Sequence, residues 1–185
     1  GIMKSYGFLH LEKNSLFSLN LLLGKGKILV KDLFEDTFPN DFFKTTPFGV
    51  YPQDLNSLNE KFNFLNKVKK IKKWCLILPD FWQKSIYLEE ENIPKKHKEL
   101  KIFIEWHFKK SYNLRPEDIR FSYLLKSNNG KNSLIVTFCL EKLISSIETV
   151  FKNNGKHLGL IISSFWALTF LIPKKGDWAL LNIEK

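Results

Sequence analysis

The residues of this chain with catalytic or metal-binding potential are four histidines, two cysteines, a glutamate run and a serine pair. His10, His97, His107 and His157 lie far from either cysteine, and no two have the spacing of a metal pair such as HExxH. His107 sits among Phe103, Ile104 and Phe108 and reads as a core histidine; His97 lies in a Lys-rich first helical turn, His157 in a turn and His10 within a strand. Cys75 and Cys139 each lie inside an apolar run, which reads as small buried hydrophobes in a reducing compartment rather than a disulfide framework. Paired carboxylates divide acid and base roles only where their environments differ, and Glu89-Glu90-Glu91 reads as a solvated strand end. Ser163-Ser164 lacks the GxSxG nucleophile elbow, and Gly24-Lys25-Gly26 lacks the rest of a phosphate loop. The sequence supplies no self-contained catalytic apparatus.

The elements that would position these residues follow from the apolar pattern. Residues 6–11, 15–23 and 27–33 read as three strands joined by tight turns, the second turn at Gly24-Lys25-Gly26. Pro39, Pro47, Gly49 and Pro52 mark an irregular stretch. Residues 54–70 read as a helix capped by Asp54, with Leu55, Leu58, Phe62 and Leu65 on one face. The continuous apolar run 74–78 reads as a strand buried on both faces. A second lobe then reads as a strand over 85–91 and a helix with Pro94 in its first turn. Leu100, Phe103, Ile104 and Phe108 form the stripe of that helix, broadened by Ile102 and Trp106. A hairpin turns at Ser127-Asn128-Asn129-Gly130, and a helix over 141–153 ends near Gly155. Strand 158–162, a helix over 163–171 and a strand over 178–183 complete the chain.

With 185 residues, 44% of them apolar, the chain has enough material for one good-sized domain or two small lobes. Gly1 and Ile2 precede Met3 and read as an expression scar. The longest apolar stretch, 159–172, falls short of the roughly 20 residues that span a bilayer. The net charge of +10 suits an anionic lipid surface or an acidic partner. Nucleic acid is disfavoured, because aromatics do not alternate with basic residues as a stacking platform needs. The densest basic run, Lys67-Val68-Lys69-Lys70-Ile71-Lys72-Lys73, reads as a solvated edge.

The order of these elements, with the segments Cys75-Leu76-Ile77-Leu78-Pro79-Asp80, Asn92-Ile93-Pro94, Glu105-Trp106-His107-Phe108, Arg115-Pro116-Glu117-Asp118 and Glu141-Lys142-Leu143, resembles the N-terminal half of PilM. PilM is the FtsA-related actin-like protein of type IV pilus assembly, and GspL is its relative in type II secretion. The resemblance covers nearly the whole chain. It implies an α/β fold: an actin-like (ribonuclease H-like) first lobe from residues 3–80 and 156–185, with an inserted α+β lobe, β-α-β-β-α, over 81–155.

In that family two acidic-Ile-Gly turns grip the phosphates of ATP. Aligned by order, His10 and Glu12 take the acidic and glycine positions of the first turn, and Asn182 and Glu184 those of the second. Glycine lets backbone N–H groups approach phosphate. Two carboxylates facing a triphosphate at about 4 Å each cost on the order of several kcal/mol even at an effective dielectric near 20. The resemblance therefore implies a degenerate nucleotide site, with neither ATP nor magnesium as a cofactor. The chain ends at Lys185, where the family's second half would begin, so it is expected to be a half, by truncation or by natural loss. The implied function is that of a cytoplasmic scaffold peripheral to the bacterial inner membrane. It would bind an N-terminal peptide of a bitopic, PilN-like partner in a groove between the lobes, with Trp82 and Trp106 as candidate contacts or, equally, as core residues. Two other readings stay open: an active actin-like ATPase whose phosphate turns align differently, and a basic module for nucleic acid or anionic lipid.

Overall fold

The computed structural model describes residues 3–164. Strands β1 (Lys4–Leu11), β2 (Ser15–Gly24) and β3 (Lys27–Thr37) form an antiparallel meander. The three expected strands are present, and β3 runs four residues further than its apolar pattern suggested. Lys25 and Gly26 turn the second hairpin, both with positive φ (48° and 71°), the geometry that matches strand twist in two-residue loops. Strand β6 (Lys73–Leu78) pairs parallel with β1, and β10 (His157–Ser163) pairs parallel with β6. The five-stranded order is β10-β6-β1-β2-β3. The unbroken apolarity of β6 reflects this inner position between two parallel neighbours. Gly7 of β1 lies under the Trp74 ring, where a Cβ would come within 2.3 Å of ring carbon.

The stretch between β3 and β6 is more regular than its prolines implied. Residues Phe43–Thr46 (β4) and Gly49–Pro52 (β5) pair as a hairpin, whose tip is braced by Phe48 N–H donating to Thr46 Oγ1 at 3.2 Å. Asp54 caps α1 (Leu55–Lys61), accepting from Asn56 N–H at 3.1 Å and from the Ser57 hydroxyl at 2.7 Å. The single helix expected over 54–70 is corrected: α1 stops at Lys61 and a 3₁₀ segment, Asn63–Lys67, follows. Phe64 is buried together with Phe62 and Leu65, and residues one or two apart do not share an α-helical face.

A second, three-stranded antiparallel sheet has the order β7-β9-β8, from β7 (Lys84–Glu90), β8 (Ile119–Asn128) and β9 (Lys131–Leu140). Asn129 and Gly130 turn β8 into β9 with φ 47° and 81°. Helix α2 (His97–Tyr112) buries Leu100, Ile104 and Phe108 in a cluster with Leu134, Val136 and Phe138 of β9. Two expectations for α2 are corrected. Pro94 precedes the helix, whose N-cap is Lys96, and Ile102 and Trp106 face solvent instead of widening the buried stripe.

Helix α3 (Glu141–Asn153) completes the β-α-β-β-α run in sequence, yet its apolar face lies in the other cluster. Leu143, Ile144, Ile147, Val150 and Phe151 pack there with Leu9, Phe62, Trp74 and Leu76. Arg120 of β8 ties the second sheet to this helix. It donates to Glu141 through Nε at 2.9 Å and Nη2 at 2.7 Å, and to Glu148 through Nη1. Burial pulls the Arg120 guanidinium down, but the two carboxylates outweigh it and its pKa is raised. Lys156, just after α3, is buried and donates to the carbonyls of Val68 and Ile71 beneath the solvated Lys67–Lys73 edge. The expected helix over 163–171 and strand over 178–183 lie outside the described residues, except Ser163, which ends β10, and Ser164.

Candidate functional site

Open sheets with parallel strands place their sites at the carboxyl ends of those strands. Here β1, β6 and β10 run parallel, and their register sets His10 beside Ile77 and Ile77 beside Ile162. Three polar groups meet at that edge. His10 Nε2 lies 2.9 Å from Glu12 Oε1 and 3.1 Å from Ser164 Oγ. The Ser164 hydroxyl donates to the Leu78 carbonyl at 3.1 Å. That contact uses the only hydroxyl proton, so His10 Nε2–H is the donor to both Ser164 and Glu12. The side chains thus link β1, the end of β6 and the residue after β10.

The β1–β2 turn is closed on itself. Glu12 N–H donates to Ser15 C=O at 2.8 Å, and Phe38 N–H donates to Asn14 C=O at 2.7 Å. None of residues 12–15 has a positive φ; the non-glycine residues that do, among those described, are Lys25, Asn113 and Asn129. The turn therefore makes no conformational demand for glycine. It presents a half-exposed carboxylate at its rim and spends the Glu12 N–H internally. The other phosphate-turn positions, Asn182 and Glu184, lie outside the described residues.

The two candidate tryptophans part company. Trp82 is 1% exposed and packs with its ring centroid 4.6 Å from that of Phe43. This corrects the surface position considered for it: Trp82 is a core residue with no face to offer a partner. Trp106 is 52% exposed, with Lys110 Nζ 4.6 Å above its ring. Pattern reading passed over several aromatics around the β4–β5 hairpin. Phe48 at the β4–β5 tip meets Tyr112 of α2 edge-on with centroids 6.3 Å apart, and Lys142 of α3 sits 4.4 Å over the Tyr51 ring. The signal for these was weak, because the short strands β4 and β5 were hidden among prolines. Among the described residues no cluster of three or more His, Cys, Asp or Glu could hold a metal ion. Burial pushes the thiol pKa of Cys75 up to about 11 and that of Cys139 up to about 12, which keeps both in the unreactive thiol form. No helix among the described residues is long and apolar enough to cross a membrane.

No protein-family model matches the sequence, and no curated protein matches it. Solved structures do match the fold. A chain of the PilM-PilN type IV pilus biogenesis complex superposes with a TM-score of 0.65 at 10% identity, over 89% of this chain. This chain shares the mixed α/β fold of that PilM-PilN complex chain. The cytoplasmic domain of EpsL, an inner-membrane component of the type II secretion system of Vibrio cholerae, matches with a TM-score of 0.55 at 12% identity, over 93% of this chain. A Bacteroides thetaiotaomicron protein with an actin-like ATPase fold matches with a TM-score of 0.49 at 11% identity, over 90% of this chain. This chain spans 49% of the PilM-PilN complex chain and 60% of the EpsL domain, about half the length of the structures it resembles.

Proposed function

We propose that this protein is a scaffold in a type IV pilus or type II secretion-like platform at the bacterial inner membrane. In this reading it sits in the cytoplasm and binds an N-terminal peptide of a bitopic, PilN-like membrane protein. The observation that carries the reading is the likeness over 89% of the chain to a chain of the PilM-PilN complex. The half-buried aromatics of the β4–β5 hairpin, Phe48 and Tyr51, favour it chemically, because extended peptides are held by apolar anchors and a few hydrogen bonds. A degenerate nucleotide site belongs to the same proposal. Its support is the β1–β2 turn, where Glu12 stands at the glycine position and the Glu12 N–H is already bonded to Ser15.

The test has two arms. Titration with N-terminal peptides of bitopic membrane proteins encoded beside the gene should give saturable one-to-one binding to one of them, weakened by Phe48→Ala. Thermal unfolding with Mg-ATP should show no saturable stabilisation, since any ligand of the native state alone raises the melting temperature by mass action. A clear nucleotide shift would replace the scaffold reading with that of an active actin-like ATPase.

A further inference from the structure

The outward face of α2 is built unlike an ordinary solvated helix face. Lys98, Ile102, Trp106 and Lys110 follow one another at intervals of four residues, so they form one row opposite the buried Leu100, Ile104 and Phe108. Ile102 is 60% exposed and Trp106 about half exposed. Residues 95–110 carry six lysines (Lys95, Lys96, Lys98, Lys101, Lys109 and Lys110) against Glu99 and Glu105. All six lysines are exposed, at both ends and along one flank of the apolar pair. Lys110 Nζ stands 4.6 Å over the Trp106 ring centroid, a cation–π contact between the ammonium and the indole face.

We infer that the Ile102–Trp106 face of α2 is a contact surface for an anionic lipid bilayer. A convex helix face with an apolar centre and a lysine rim matches a flat surface that is apolar within and negative without. Indole is suited to that boundary, because one end is apolar and the N–H is polar. A nucleic acid would be met by a basic groove with successive stacking rings, and the Lys98–Ile102–Trp106–Lys110 row of α2 carries a single ring. The inference rests on the proposed platform role for its setting beside a membrane, while its chemistry is read without the peptide partner.

The experiment is co-sedimentation of the protein with vesicles of equimolar phosphatidylcholine and phosphatidylglycerol, against vesicles of phosphatidylcholine alone. Binding is expected to the anionic vesicles only and to weaken as salt rises. The double variant Lys109→Gln/Lys110→Gln should weaken it by about thirtyfold, from roughly fivefold per lysine. Brominated phosphatidylglycerol should quench tryptophan emission in the native protein and not in Trp106→Phe, and Trp106→Ser/Ile102→Ser should lose most of the binding. These positions are exposed, so the variants should keep the native circular dichroism, which is checked alongside. Equal binding to both vesicle types, or unchanged binding and quenching in the Trp106 variants, would overturn the inference. So would stronger binding to a single-stranded oligonucleotide that ignores Trp106, which would make the face a plain basic patch. Loss of vesicle binding with peptide binding intact would count against this inference alone. The converse would count against the proposed function alone.

Discussion

Replacing Arg120 by methionine should cost about 2–3 kcal/mol of stability. The side chain makes three charge-assisted hydrogen bonds, two to Glu141 and one to Glu148. Its side-chain exposure is 16%, against 33% for Glu141 and 18% for Glu148. Exposed pairs contribute about 0–1 kcal/mol, and breaking a fully buried pair costs about 3–5 kcal/mol. The triad lies between those limits, nearer the buried one, because methionine would leave two like charges facing each other in a half-desolvated site. For a chain of this size the same loss lowers Tm by roughly 5–10 °C. Urea unfolding followed by circular dichroism and by tryptophan fluorescence measures it. Adding Glu148→Gln to Arg120→Met should return part of the loss, since it removes one of the two like charges that Arg120 bridged, whereas Glu148→Gln alone should destabilise. A loss below about 0.5 kcal/mol, or a Glu148→Gln effect of the same sign and size in both backgrounds, would refute the triad as the tie between α3 and the second sheet.

Three further outcomes follow from single sites. Gly7→Ala places a Cβ into the Trp74 ring and should destabilise by about 2 kcal/mol or more in the same urea assay; a neutral result would mean that β1 and Trp74 are not packed as described. Cys75 and Cys139 should resist a thiol reagent at pH 8 in the folded protein and react fully in denaturant, and rapid labelling of either one in the folded protein would contradict its burial. The Asp54 carboxyl is held below its ordinary value of 3.8 by the Ser57 hydroxyl first and the Asn56 N–H second. A depressed carboxyl gives stability that is present above its unfolded pKa and lost as pH falls through the folded one. The destabilisation by Asp54→Ala should therefore be constant from pH 7 to about 5 and shrink in more acidic solution; a difference independent of pH would remove the cap from the account.

The features legible in the sequence were those written locally. The unbroken apolar run 74–78 announced a strand buried on both faces, and Gly26 and Gly130 sit in turns whose positive φ requires such residues. The cap at Asp54 and the end of α3 before Gly155 were equally local. Relations between distant residues were not legible. Arg120 meets partners 21 and 28 positions away, and no spacing rule connects them. Periodicity told which face of α3 is buried, but not that Trp74 and Phe62 would receive it. In α2 the same periodicity marked Ile102 and Trp106 as apolar without saying that they face solvent. At the candidate site the contact of Glu12 with His10 follows from the short loop between β1 and β2. Ser164 joined the group only because β10 ends beside β6, a consequence of sheet order.

The central claim is a PilM-like scaffold that captures a membrane partner's peptide. Calorimetric titration of the protein with N-terminal peptides of the bitopic membrane proteins encoded beside its gene tests it most directly. The account predicts saturable one-to-one binding of one peptide, unchanged by Mg-ATP. Absence of heat and of competition with every such peptide would contradict it.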